Sequence, residues 1–244
     1  MLTVCGLSAL GAAGLWPLTG PTLIGRAFAT TDRAAQAAQR VGPELNALLA
    51  PLGLALGAAV FIRILKEEKL LELFVDSGER FVLLKAFGIC TWSGTLGPKL
   101  RQGDGQAPEG YYRVTRGQLN PHSAFHLSFD LGYPNAYDRA HGRTGSALMV
   151  HGSCVSIGCY AMTDEGIEQI YTLVDAALRG GQRAIQVHAL PFRLDGENAL
   201  RRIDASPWRE LWLALRAGYL AFERDGRPPT VRVRARHYAV DGPG

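Results

Sequence analysis

A chain of 244 residues with 47% apolar and 20% charged side chains has the make-up of a folded globular protein, which excludes a disordered class. Twenty-six basic against 22 acidic side chains give a formal charge of +4 and a pI near 9.0, which suits an anionic partner. The basic residues are scattered, without an aromatic-rich basic stripe or zinc-finger spacing, so no nucleic-acid partner is expected.

Residues 1–29 differ in composition from the rest. One charge, Arg26, sits amid Leu, Gly, Ala and Thr, and the stretch closes on Ala27-Phe28-Ala29, the small-x-small pattern that signal peptidase prefers. Pro17, Gly20 and Pro21 break the apolar run and make it a poor spanning helix. The expectation is an export signal cleaved after Ala29, a periplasmic location and no integral membrane span in the mature protein; an uncleaved anchor is the alternative. The absence of Lys or Arg before Arg26 departs from the usual signal pattern. Export would remove Cys5 and leave Cys90, Cys154 and Cys159, an odd count that leaves at least one thiol unpaired in an oxidising compartment.

Residues 30–57 read as a short, Ala-rich helical appendage, with Thr31-Asp32 as N-cap, an interruption at Gly42-Pro43 and a stop at Pro51. The main domain is expected over 58–240. Val60–Leu65, Leu70–Val75 and Arg80–Phe87 form a β-meander separated by turn-like clusters. A Gly-rich loop runs to Gly110, followed by strands at Tyr111–Thr115, Ala124–Asp130 and Ala147–His151. The 3.6-residue period predicts a helix over 164–179, stopped by Gly180-Gly181. Ala184–Leu190 is a strand, and a second helix spans 207–224, with Ser206 as N-cap and Pro207 at its first position. Val231–Arg236 alternates as an edge strand with its basic side in water. The fold class is α+β, centred on β-structure.

Chemistry concentrates in the eleven residues Val150–Tyr160, which hold one imidazole, two thiols, two serine hydroxyls and two of the chain's glycines. At its free pKa of about 8.5 a cysteine is mostly un-ionised at neutral pH, so a nucleophilic thiol needs a nearby base. His151 at a strand end and Cys159 just before a helix can face each other across the loop. Gly158 permits a tight bend that frees neighbouring amides for an oxyanion.

His151-Gly152, a spacer and Ser156-Ile157-Gly158-Cys159 resemble the active-site signature of the L,D-transpeptidase (YkuD-type) family. Only seven residues separate His151 from Cys159, as in a branch whose motif runs His-Gly-x-Cys-x-Ser-x-Gly-Cys-Tyr-Ala-Met-Thr-Asp. Pro108–Tyr112, Leu127–Phe129, Gly132–Arg139 and Gly142–Gly145 extend the resemblance, which covers roughly residues 55–240. It implies a β-sandwich-like catalytic domain with flanking N- and C-terminal helices and a cysteine acyl-enzyme that uses no cofactor. Cys159 would be the nucleophile and His151 the base, with the Gly152 carbonyl orienting the imidazole and the Gly158 and Cys159 amides forming an oxyanion hole. The implied substrate is the peptidoglycan stem peptide, cut or joined after the L-centre of diaminopimelate. Branch members resemble enzymes that release a peptidoglycan-linked outer-membrane lipoprotein, so hydrolysis stands level with, or slightly above, cross-linking.

Arg139 and Arg143 are candidates for gripping stem carboxylates, against a structural ion pair with Asp138 or Asp130. Tyr137, Ser156 and His126 are further candidate substrate contacts. Cys154 is either a core thiol or the partner of Cys90. Two rival readings are a catalytically silent cell-wall-binding module and a zinc site built from His151, Cys154 and Cys159, with His126 or His188 as fourth ligand. The His-x2-Cys-x4-Cys spacing fits no common zinc pattern, so no metal is expected.

Overall fold

The computed structural model describes residues 33–243; the expected export signal and the Thr31-Asp32 cap lie outside them. Two five-stranded sheets form the body. The first contains β1 (Val60–Leu65), β2 (Leu70–Asp76), β3 (Phe81–Gly88), β5 (Gly110–Val114) and β10 (Ile185–Leu190), in the order β3-β2-β1-β10-β5. Its first three strands are the expected meander, and β10 returns parallel to β1 after a long crossover. All six residues of β1 are buried, because both faces of this sheet are covered.

The second sheet is made of short pieces: β4 (Thr91–Trp92), β6 (Leu119–Asn120), β7 (Ser128–Asp130), β8 (Met149–His151) and β9 (Tyr160–Ala161), in the order β4-β9-β8-β7-β6. Between the sheets lies the main core. Val60, Ile62 and Ile64 meet Phe129, Val150 and Tyr160 there, with Ile167, Ile170 and Val174 of α3 (Asp164–Arg179). Thr163 caps α3 by accepting from the Gly166 amide at 3.0 Å, and Asp164 and Glu165 occupy the first turn, where the macrodipole favours them.

α1 (Arg33–Leu49) packs along α3 and sends Ala37, Val41, Leu45 and Leu49 into the same core. Gly42-Pro43 does not interrupt it. Pro43 forfeits one backbone hydrogen bond from the exposed side, while burial of the flanking Val41 and Leu45 holds the turn together.

The outer face of the first sheet is covered by α4 (Gly196–Asp204), α5 (Arg209–Asp225) and a ribbon of β11 (Pro229–Arg234) and β12 (His237–Pro243). Leu65, Tyr111, Leu190 and Phe192 pack there against Trp212, Leu215 and Tyr219. α4 was not anticipated: of its nine residues only Ala199 and Ile203 are buried, too little for a periodic signal. α5 starts at Arg209 rather than Pro207, because Ser206 Oγ accepts from the Trp208 amide at 3.0 Å and closes a turn ahead of the helix. The basic tail strand pairs with β12 in its own ribbon and is not an edge of the main sheet. The strand expected at Ala124–Asp130 shrinks to β7, since His126 sits at φ +67° and breaks the extended run. A short helix, α2 (Ala136–Ala140), follows β7. No helix among the described residues is long and apolar enough to cross a membrane.

One buried ion pair joins the layers. Lys66 and Glu109 are both fully buried, with Nζ 3.0 Å from Oε1. Lys66 also donates to the carbonyls of Thr95, Gly97 and Ala107 at 3.0–3.1 Å, and Glu109 accepts from the Gly97 amide at 2.7 Å and Trp212 Nε1 at 2.8 Å. Burial lowers the Lys66 pKa, and the Glu109 carboxylate acts against that shift. Glu109→Ala would strand a buried ammonium and should cost about 3–5 kcal/mol in a denaturant titration. A loss below about 1 kcal/mol would assign the pair the weight of a surface bridge.

Candidate active site

β8 and β9 run parallel, with Val150 paired to Tyr160 and His151 to Ala161. Val150 and Tyr160 point into the core, so Met149, His151, Cys159 and Ala161 share the opposite face. The register sets Cys159 beside Met149 and one step diagonally from His151. The Met149 amide donates to Cys159 Sγ at 3.4 Å, and the thiol faces the Ala147 carbonyl at 3.7 Å. Cys159 is the free cysteine among the described residues and is half-buried.

His151 is 2% exposed. Its Nδ1 lies 2.6 Å from the Gly152 carbonyl oxygen. A carbonyl can only accept, so Nδ1 carries the proton and Nε2 keeps its lone pair, as a base requires. The Phe125 ring lies over the imidazole, with centroids 4.8 Å apart.

Gly152 is the point of closest approach. A Cβ there would stand 2.6 Å from Asp164 Oδ1 and 2.9 Å from both the Phe125 carbonyl and His126 Cβ. The Gly152 amide donates to the Phe125 and Leu127 carbonyls at 3.0 and 3.1 Å, which fixes the 125–127 segment against the histidine. Arg33 of α1 grips the same segment through the Ser123 and His126 carbonyls, at 2.9 and 2.6 Å.

The loop between His151 and Cys159 is braced at each step. Asp164 Oδ1 accepts from the Ser153 amide at 2.8 Å. Cys154 forms a disulfide with Cys90, which settles the open cysteine question and takes the sulfur a zinc site would need. Ser156 Oγ donates to the Cys159 carbonyl at 2.8 Å and lies 3.1 Å from Ser93 Oγ. Gly158 sits at φ +115°, where a Cβ would meet Leu148 and the Gln106 carbonyl at 3.2 and 3.4 Å.

The other sequence candidates are not gathered at the thiol. The Gly158 amide, expected in an oxyanion hole, donates to the hydroxyls of Ser93 and Ser156. The Ser156 hydroxyl is consumed by the same loop. His126 turns its Nε2 to Glu168 at 2.7 Å, and Arg40 shares that carboxylate. Arg143 is buried in an ion pair with Asp138 at 2.8 Å, and its guanidinium lies over the Tyr137 ring. Tyr137 itself stacks on Tyr238, with centroids 4.3 Å apart. Arg139 is exposed, donates to the Pro134 carbonyl and borders a separate cleft. Sequence reasoning missed Ser93 and Phe125, which carry no local signal because each meets the site from a distant part of the chain; Asp164 closes the family-like motif, but its bond to the Ser153 amide is seen only in the structure.

Burial pushes the Cys159 thiol up; the Met149 amide opposes this, the Asp130 carboxylate adds to it and Lys99 offsets it. Burial lowers His151, and its bond to Gly152 works the other way. Both shifts favour the neutral forms, a thiol and an imidazole, over a preformed ion pair. Such an arrangement can add sulfur to a carbonyl carbon while the imidazole takes the proton.

Residues 59–189 match the YkuD family, the L,D-transpeptidase catalytic domain, and the chain belongs to that family. Among its relatives is the Escherichia coli (strain K12) protein named "Putative L,D-transpeptidase YafK", 48% identical over 188 residues that cover 77% of this chain and 76% of the relative. The protein of the same name from Escherichia coli O157:H7 matches with the same identity and coverage. Among solved structures, the helical cell shape determining protein Pgp2 (K307A mutant) of Campylobacter jejuni superimposes with a TM-score of 0.46 at 19% identity, covering 73% of this chain and 63% of that chain. Bd1075 of Bdellovibrio bacteriovorus gives 0.38 at 22% identity, with 68% and 62% covered.

Iodoacetamide alkylation of Cys159, followed by intact mass, tests the protonation state. The midpoint should lie above the free-thiol value of about 8.5. A midpoint below about 7 would mean a stabilised thiolate.

Proposed function

We propose that this protein is an exported peptidoglycan enzyme in which Cys159 attacks the amide after the L-centre of diaminopimelate in the stem peptide. As the S–C bond forms, the thiol proton passes to His151 Nε2, which then protonates the leaving amine as the C–N bond breaks. The product is a thioester on Cys159. Water, deprotonated by the same imidazole, resolves it to a carboxylate and frees the thiol, which would trim stems or release a peptidoglycan-linked lipoprotein. An incoming amine in place of water would give a cross-link, the reaction in the family's name.

The observation that supports this reading is the 2.6 Å contact between His151 Nδ1 and the Gly152 carbonyl, which leaves Nε2 as a base on the thiol's face of the sheet. The same reading makes residues 1–29 a cleaved signal, 30–57 a helical appendage and 58–240 the catalytic domain of a periplasmic protein.

Incubation of sacculi with wild-type and Cys159→Ala protein, then mass spectrometry of the digest, tests it. Wild type should yield trimmed stems or freed lipoprotein-derived peptides, or new cross-links if an amine is the acceptor. Cys159→Ala should lose at least about 10³-fold and His151→Ala about 10²–10⁴-fold. Normal processing by Cys159→Ala would overturn the proposal, and no reaction by wild type would leave the silent-module reading. The acid limb of kcat/KM against pH should fall below the ordinary histidine value of about 6.5. The base must be neutral, and a lowered pKa keeps it neutral further into acid.

A further inference from the structure

Away from Cys159, a cleft of about 440 Å³ opens between α2, the β5–β10 pair and the β11–β12 ribbon. Arg113, Arg139 and Arg232 line it together with Gln186, Val231 and Val233, and no acidic residue contributes to its wall. Arg113 and Gln186 are register partners on adjacent strands, so the guanidinium and the amide project side by side. Among the described residues neither Arg113 nor Arg139 forms an ion pair, and Arg139 donates to the Pro134 carbonyl. Arg232 is the one with a carboxylate partner, Asp241 at 2.7 Å.

The floor of the cleft is rigid. Asn135 donates to the Tyr111 carbonyl at 2.9 Å and to the Tyr238 hydroxyl at 2.8 Å, and Tyr238 stacks on Tyr137. Arg143 nearby shows the contrast, since Asp138 neutralises it in the interior. Arg113 and Arg139, two exposed guanidiniums on the wall of one concavity and in no ion pair among the described residues, leave it positively charged, and an anionic guest offsets that charge.

We propose that this cleft is a second binding site, for a carboxylate-bearing peptide, and that it holds a peptidoglycan stem other than the one under attack. This identity of the guest rests on the function proposed above. The forks of Arg113 and Arg139 take carboxylates, the Gln186 amide reads a peptide backbone, and Val231 and Val233 pack small side chains such as alanine methyls. A concave pocket with half-buried valines suits an extended peptide better than a membrane surface, which needs exposed apolar side chains.

The test uses the full chain carrying Cys159→Ala, so that bound peptide is not turned over. Binding to purified sacculi and to a soluble disaccharide-tetrapeptide is measured for this protein and for its Arg113→Gln/Arg139→Gln derivative. The derivative should bind both at least about tenfold more weakly, as expected for loss of charged hydrogen bonds. Its unfolding midpoint should be unchanged, and a tetrapeptide with amidated carboxyls should not distinguish the two proteins. Equal affinity within about twofold would overturn the proposal. So would binding to phosphatidylglycerol vesicles that depends on the two arginines while sacculus binding does not. Wild type that processes sacculi while the arginine substitutions leave binding intact would refute the cleft and leave the catalytic reading standing. Arginine-dependent stem binding without any processing would do the reverse.

Discussion

Lys66 and Glu109 lie out of reach of water, and the positions of three otherwise separate parts of the chain follow from their contact. Lys66 closes the end of β1, Glu109 precedes β5, and the loop between them in space is held by its own carbonyls and the Gly97 amide. Trp212 of α5 donates to the same carboxylate, so the outer layer is registered against the sheets as well. Removing two charges from water is expensive, and only this number of hydrogen bonds makes the interior position tolerable. The loop so fixed supplies Ser93 and the Gln106 carbonyl, which abut Gly158. A contact at the bottom of the fold thereby sets the backbone next to Cys159.

The site depends on close backbone approach more than on charge. Parallel pairing of two very short strands brings His151 and Cys159 to one face, and Gly152 allows the 125–127 segment and the start of α3 to meet behind the histidine. The Cys90–Cys154 disulfide and the Ser93–Ser156 pair then remove freedom from the intervening loop. Among the described residues a carbonyl, not a carboxylate, orients the imidazole, which fixes the tautomer and raises basicity less than a full negative charge would.

Local signals in the sequence were sufficient where the physics is local. α3 has a helical period, a Thr cap, acidic residues in its first turn and a glycine stop, and it forms over the expected span. His151 and Cys159 lie close enough in sequence for the loop between them to be read directly. Non-local structure was not legible. The Ser93–Gly158 bond spans 65 residues, and nothing near Ser93 signals it. Arg143 takes the ion pair with Asp138 that its sequence neighbourhood offered as the alternative, whereas Tyr137 had the residue type of a substrate grip but stacks on the distant Tyr238. Alternation marked the tail as a strand without revealing that its partner would be β12 and not the main sheet.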